Sequence, residues 1–236
     1  MNNPYEYLDQ LKRLEERVVK CELCPRLRAY CQHIASVKKK AYMHEDYWGR
    51  PLPGFGDPFA RLLIIGLAPA AHGGNRTGRM FTGNGSGDWL VKALHKFGFA
   101  NKDRSLSRDD GLVLKDVYLT AAVRCAPPGN RPEKEEIENC LRFLDEELRL
   151  LQNVKVVLTL GKVAFETYVR LKHPNWNVPK PLFRHGAKYN FGGGKPLIVS
   201  SYHPSRQNTQ TRKLTWEAWE SVFTEVRRML DEYSRR

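Results

Sequence analysis

Short apolar runs alternate with amphipathic stretches along the chain. Leu62–Gly66 contains no polar side chain, the pattern of a strand buried on both faces. Three further runs resemble it: Val117–Val123, Val154–Leu160 and Leu197–Ser200. Because buried strands that alternate with helices form parallel sheets covered on both sides, the pattern predicts a three-layer α/β fold.

Helical spacing of apolar residues predicts the helices. Tyr5–Val19 is the first, and a basic helical stretch that includes Lys38–Lys40 follows it. Further helices are expected around Trp89–Phe97, from Pro132–Glu133 onwards, and along the final stripe that begins at Trp216. That aromatic stripe indicates core packing, not a ligand site. Loops are expected at Pro51–Pro58, Gly161, Pro174–Pro181 and Gly192–Gly194.

Length and composition limit the protein class. With 236 residues and no evident linker, we expect a single domain over residues 1–236. Hydrophobic residues make up 41% and charged residues 28%, which excludes wholesale disorder. No apolar run is long enough to cross a membrane, and the first residues lack a secretion signal. We therefore expect a cytoplasmic, nucleoid-associated monomer with no membrane partner.

The charge balance points to a polyanion. The chain has 39 Lys and Arg against 26 Asp and Glu, a formal net charge of +13. Nucleic acid is the commonest partner of so basic a surface. A solvated surface with no ligand, an acidic protein and a phosphate-rich metabolite fit the charge as well.

Three unusual loops follow three of the four predicted strands. They span residues 66–85, 124–130 and 202–211, and the carboxyl ends of parallel strands meet at one sheet edge. The first loop is glycine-rich, with Arg76, Arg79 and no acidic residue, so its backbone N–H groups are suited to an anion. It matches neither a P-loop nor a dinucleotide fingerprint. The alternative interpretation is that this loop is a mobile connector without a function of its own.

The third loop contains His203–Pro204–Ser205 in a polar, basic segment. A lone histidine is more often structural than catalytic, but its position at a strand exit favours function. The segment has the composition of a loop that touches a phosphate backbone.

The five cysteines favour a metal over disulfides in an intracellular chain. Cys21 and Cys24 form a C-x-x-C pair, and Cys125 and Cys140 lie about a hundred residues downstream. Four thiolates could hold zinc or an iron–sulfur cluster, and the spacing does not choose between them. Cys31 fits a buried thiol without a metal.

Together these motifs resemble the uracil-DNA glycosylase superfamily, and its family 5 (type b) iron–sulfur enzymes most of all. The resemblance rests on Gly66–Ala70, Gly78–Gly83, Arg124–Pro128 and His203–Thr209. It implies a central four-stranded parallel sheet and a structural [4Fe–4S] cluster on Cys21, Cys24, Cys125 and Cys140. It also implies hydrolysis of the N-glycosidic bond of uracil, and of other deaminated bases such as hypoxanthine and xanthine, in DNA. This reaction leaves an abasic site in base excision repair.

The resemblance also assigns roles to side chains. Phe81 would stack on the flipped base, and His203 would donate a hydrogen bond to the base as it leaves. The base-binding set also includes Gly66, Ala68, Ala70, His72 and Asn130. Asn84 and Asn130 would join His203 as catalytic residues. The expected DNA contacts are Arg76, Arg79, Arg206, Gln207, Asn208 and Arg212.

Four positions depart from relatives in the superfamily. Ala68 replaces an acid or amide that handles water elsewhere, as is usual in family 5, and Asn84 stands where family 5 can carry an aspartate. An amide can orient water but cannot act as a base. Ala121 aligns with an asparagine that reads uracil, so we expect a broader substrate range. Arg212 replaces a glycine.

Two other classes remain to be separated from a glycosylase. A zinc nucleobase deaminase needs His-x-Glu and Pro-Cys-x-x-Cys, and neither pattern is present. A non-catalytic nucleic-acid-binding module, with a structural metal held by four cysteines, is the alternative that the sequence leaves open. Release of a base from DNA separates it from a glycosylase.

Overall fold

The computed structural model describes residues 4–174 and 181–234. The loop expected between Pro174 and Pro181 therefore lies outside the described residues, except for its two ends.

One six-stranded sheet forms the centre of the described structure. Its strands are β1 (Phe55–Gly56), β2 (Leu62–Gly66), β3 (Val117–Ala121), β4 (Val156–Leu160), β5 (Lys188–Tyr189) and β6 (Leu197–Ser201). Their order is β1-β3-β2-β4-β6-β5, and the four inner strands pair in parallel. The predicted four-stranded parallel core is confirmed. The two edge strands were not predicted, and β1 lies in the expected loop at Pro51–Pro58.

Eight α-helices connect and cover the described strands. They are α1 (Pro4–Val19), α2 (Pro25–Val37), α3 (Gly74–Thr77), α4 (Gly85–Lys96), α5 (Lys134–Leu150), α6 (Lys162–Lys172), α7 (Arg206–Gln210) and α8 (Trp216–Ser234). α2 ends before Lys38–Lys40, so the prediction of a helix through these lysines is wrong. Lys38 has a φ of 51°, and its N–H bonds to the Ile34 carbonyl, which closes the helix. None of the described helices has the length and apolarity to cross a bilayer.

The helices form a layer on each side of the sheet. α4 and α8 pack on one face, where Leu90, Leu94, Trp219 and Phe223 are fully buried. α1, α5 and α6 pack on the other face. The final aromatic stripe is core from Trp219 onwards, whereas Trp216 at its start is only partly buried.

A buried ion pair joins the segment after β3 to α5. The Arg124 guanidinium donates to the Glu147 carboxylate at 2.7 and 3.2 Å, and their side chains are 1% and 3% exposed. Thr120 donates to the same carboxylate. The pair fixes the chain immediately before Cys125, where the second unusual loop begins.

Candidate active site and cysteine cluster

The unusual loops meet at the carboxyl edge of the sheet, as predicted. Gly66 at the end of β2 pairs in register with Ala121 at the end of β3. His203 follows the end of β6, and a Cβ at Gly161, which follows β4, would lie 3.7 Å from the His203 Cβ. Parallel strands thus bring segments distant in sequence to one place.

The rings of Phe81 and His203 face each other, and Phe81 lies against Gly66. Their ring centroids are 6.4 Å apart with an interplanar angle of 30°. A Cβ at Gly66 would lie 2.7 Å from the Phe81 Cζ, so only glycine lets this ring approach β2. Phe81 has a φ of 50°, a conformation that is costly for a bulky residue. The fold thus holds Phe81 in an unfavourable backbone conformation to place its ring.

Burial keeps the His203 ring neutral. Loss of solvation lowers the pKa of His203 to about 4. The Asn208 side-chain amide and the Ser205 N–H both donate to the His203 carbonyl at 2.8 Å. At neutral pH the ring therefore carries a single N–H donor in a fixed loop.

Asn84 caps α4. Its side-chain oxygen accepts the Gly87 N–H at 2.8 Å, and its amide nitrogen lies against Gly73 in the glycine-rich loop. The sequence did not predict this capping role. The cap uses one acceptor position of the amide oxygen, so a second stays available for a water molecule.

The glycine-rich loop offers backbone donors. Among the described residues, the N–H groups of Ala68 and Ala70 donate to no backbone carbonyl. His72 shares a 3.0 Å hydrogen bond with the Tyr47 hydroxyl, which also accepts the Lys39 N–H. Burial lowers the pKa of His72, and nearby Lys39 adds to the shift. Tyr47 lies outside every sequence motif, so its contact with His72 could not be predicted from the sequence.

Arg76 and Arg79, which were expected to contact DNA, are engaged within the protein. Both side chains are buried. Arg76 pairs with Glu45 and donates to the His72 and Gly83 carbonyls. Arg79 pairs with Asp110 at 2.7 Å. Their guanidinium groups therefore hold loops together.

The segment after His203 supplies accessible polar side chains. Arg206, Gln207 and Arg212 are exposed. The Arg206 Nε lies 4.0 Å from where a Cβ at Gly85 would be, so this segment borders the start of α4. Asn208 is half-buried, and its amide is the group that holds His203. Its expected DNA contact stays a prediction beside this positioning contact within the protein.

Ala121, just before the second loop, is buried, whereas Asn130 at the end of that loop is exposed. Ala121 is 2% exposed, beside Gly66 at the sheet edge. Asn130 is exposed and has a φ of 57° in a turn after Pro128. Its predicted role in the active site stays a prediction.

The predicted metal ligands are neighbours. Cys24, Cys125 and Cys140 pack in one cluster with Cys31, and Ala68 packs against it. The pKa of Cys140 is raised to about 11, chiefly by burial and in part by the nearby Cys24 and Cys21. The N–H of Arg124 opposes this shift. The cluster thus adjoins the glycine-rich loop.

The donor chemistry of this group fits a soft metal. All four predicted ligands are thiols, and soft thiolates select zinc, copper(I) or iron–sulfur clusters. The Asn139 amide lies 3.6 Å from the Cys24 sulfur, where it can donate to a thiolate. Within the described ranges, no three His, Cys, Asp or Glu residues are grouped to hold a metal ion.

Comparison with known proteins agrees with the motifs. A family model described as the uracil DNA glycosylase superfamily matches residues 53–225, from before β1 into α8. A Thermus thermophilus protein called type-5 uracil-DNA glycosylase is 51% identical over 209 residues, 89% of this chain and 93% of that protein. A Pyrobaculum aerophilum protein of the same name is 44% identical over 207 residues, 88% of each chain. A third, from Mycobacterium leprae, is 42% identical over 217 residues, 92% of this chain and 94% of its own. With the motif residues gathered at one sheet edge and a match over most of its length, this chain belongs to the uracil DNA glycosylase superfamily.

Proposed function

We propose that this protein hydrolyses the N-glycosidic bond of uracil in DNA and leaves an abasic site, the first step of base excision repair. The observation that carries the proposal is the pairing of the Phe81 ring, which lies against Gly66, with a neutral His203. The names of the similar proteins from Thermus, Pyrobaculum and Mycobacterium support the same reaction.

The two rings suit the two requirements of base removal. A base must leave the duplex stack to be reached, and an aromatic face such as that of Phe81 stabilises it by stacking. As the glycosidic bond breaks, the base departs as an anion. A neutral His203 donates its N–H to that anion, and a preorganised donor of this kind contributes ~10²–10³ in rate.

The glycine-rich loop and Asn84 would serve the attacking water. Breaking the bond leaves an electrophilic sugar, which a positioned water can attack without a strong base. The free N–H groups of Ala68 and Ala70 and the oxygen of Asn84 are available at this edge. Asn130 would contribute from the second loop.

Base release from an oligonucleotide tests the proposal. The parent protein should release uracil from a uracil-containing duplex, and His203→Ala should slow single-turnover release by about 10²-fold or more. His33→Ala is the matched control, because this histidine is exposed on α2. Absence of base release by the parent would leave the non-catalytic nucleic-acid-binding module as the better hypothesis.

We further infer that the substrate range extends beyond uracil. The buried position beside Gly66 is Ala121, whose side chain cannot hydrogen-bond to a base edge. A pocket without a selective amide leaves fewer polar groups unpaired when another base enters. Single-turnover release of hypoxanthine and xanthine from duplex DNA should therefore be measurable. Strict selectivity for uracil would show that another group reads the base.

Cys21, Cys24, Cys125 and Cys140 would hold a [4Fe–4S] cluster. A thiol-only donor set near two N–H donors suits a cluster held by several thiolates. The cluster would tie α2, α5 and the second loop together, a structural task. The chemistry of base release needs no electron transfer.

Iron content tests the ligand set. Cys140→Ser should lose its iron and the visible absorbance of the cluster. Bound zinc gives no such absorbance, so the parent spectrum also separates the two metals. Cys31→Ser is the control, because Cys31 bonds to the Ala126 carbonyl and is not in the predicted set. Full iron in Cys140→Ser, or loss of iron in Cys31→Ser, would contradict the assignment.

A further inference from the structure

Arg79 anchors a loop that no motif includes. Its guanidinium donates to the Ser105 hydroxyl at 2.7 Å, to the Asp110 carboxylate at 2.7 and 2.8 Å, and to the Arg108 carbonyl at 2.9 Å. We call residues 101–111 the Arg79-anchored loop. Its buried side is thus fixed to the segment that carries Phe81.

The outer side of the Arg79-anchored loop presents cations around an apolar residue. Leu106 is 60% exposed, and Arg104 and Arg108 on either side of it are exposed too. The N–H groups of Leu106 and Ser107 donate to the Asp110 carboxylate at 2.7 and 3.3 Å. These backbone hydrogen bonds fix the loop at Leu106, whose apolar side chain stays exposed.

A groove lies between this loop and the first turns of α4 and α8. Its volume is about 630 Å³. It is lined by Asp88, Trp89, Lys92, Asp103, Arg104, Leu106 and Trp216. The two indole rings lie 5.4 Å apart, nearly edge to face, and the Lys92 ammonium lies 4.7 Å from the centroid of the Trp216 ring.

The groove is formed beside two helices that each follow a strand of the parallel sheet. α4 follows β2 and α8 follows β6, so both helices begin at the carboxyl ends of parallel strands. The Trp219 indole donates to the Trp89 carbonyl at 3.2 Å, which fixes the two helix starts together. Arg206 beside Gly85 bridges the distance from His203 to α4.

We propose that this groove binds an unpaired nucleotide of the DNA strand that carries the flipped base. The base stacks on the Trp216 indole, with the Trp89 indole at its edge, and its phosphates lie against Lys92 and Arg104. Base–aromatic stacking with nearby cations is the common chemistry of single-stranded DNA sites. The inference rests on the proposed function, because it takes DNA to be the substrate.

The charges favour a nucleotide over a bare anion. Asp88 and Asp103 also line the groove, so its cations are partly balanced. Because the charges balance, the aromatic surface decides between the two ligands, since a base can stack on it and a free phosphate cannot. The net charge of +13 attracts the nucleic-acid backbone to the protein as a whole.

Binding of uracil-free single-stranded DNA tests the groove without any chemistry. The probe is a fluorescein-labelled thymidine 20-mer, with anisotropy as the readout of affinity. Trp216→Leu should weaken binding at least about fivefold, the lower end expected for one lost stacking contact. Lys92→Glu should weaken it as well, and this exposed residue leaves the core intact. Lys155→Glu, the same charge change at the opposite sheet edge, is the matched control.

An abasic 20-mer with the same phosphates separates stacking from charge. The thymidine oligomer should quench tryptophan fluorescence of the parent, and the abasic oligomer should not. Equal quenching by both, or parent-like affinity in Trp216→Leu and Lys92→Glu, would overturn the inference. Uracil release by the parent is measured separately, so a failed groove leaves the proposed function standing.

Discussion

Removing Glu147 should strongly destabilise the fold. Glu147→Leu leaves the Arg124 guanidinium buried without its counter-charge, and its Nε already has no hydrogen-bond partner in the described structure. Breaking a buried pair from one side costs about 3–5 kcal/mol. For a chain of this size, that lowers the midpoint of thermal unfolding by roughly 6–20 °C.

The double variant Arg124→Met with Glu147→Leu removes both charges. It therefore separates the cost of one unpaired buried charge from the cost of changing these two side chains. Replacing both charges by apolar groups is often close to neutral, so most of the loss should return. Thr120 then lacks its acceptor, which leaves a residual cost of about 1–3 kcal/mol. Calorimetry and urea unfolding measure both variants.

Glu138→Leu on the same helix is the control. Its ion pair with Arg170 is exposed, and such pairs contribute about 0–1 kcal/mol. The reasoning fails if Glu147→Leu costs no more than this control, or if the double variant is less stable than the single one.

Three further predictions concern the sheet edge. Because the pKa of His203 is about 4, its ring stays neutral as pH rises from about 5.5 to 8, and the rate of single-turnover base release should not fall over that range. A tenfold fall in rate per pH unit would identify the imidazolium as the donor. Asn84→Ala removes the α4 cap, so it should lower the free energy of unfolding by about 1 kcal/mol and slow base release roughly tenfold, less than His203→Ala does. Asn84→Asp keeps the cap and should match or exceed the parent rate. A larger rate loss in Asn84→Ala than in His203→Ala would make water positioning the dominant role. Arg212 has a φ of 57°, so Arg212→Gly should be about 1 kcal/mol more stable than Arg212→Ala. Both variants should weaken DNA binding alike. Equal stability of the two variants would show that this backbone is not strained.

Patterns within a short window predicted the core correctly. Continuous apolar runs such as Leu62–Gly66 are strands because every position is buried on one face or the other. β1 and β5 contain two residues each, too few for a period. The helix boundary at Val37 was missed because the lysines that follow are good helix formers, and only the φ of Lys38 shows the break.

The site was harder to predict where partners are distant in sequence. The glycine-rich loop has no acidic residue of its own, so Arg76 and Arg79 looked free for phosphate. Their acids come from Glu45 and Asp110, which lie outside the loop. The turn sequence Asp109–Asp110–Gly111 signals a loop, but nothing in it names Arg79 as the partner. The low pKa of His203 likewise depends on tertiary burial.

The spacing of the cysteines has a consequence for biosynthesis. All four predicted ligands precede the end of α5, whereas β4, β6 and His203 come later in the chain. Roughly the first two thirds of the protein, in which α1 can already pack on α5, therefore contain all four thiols before His203 is translated. Closing a loop of roughly a hundred residues costs only a few kcal/mol of entropy, which metal ligation can supply. Iron delivery to a nascent chain arrested just before His203, with all four cysteines already outside the exit tunnel, should thus be possible before any glycosylase activity exists.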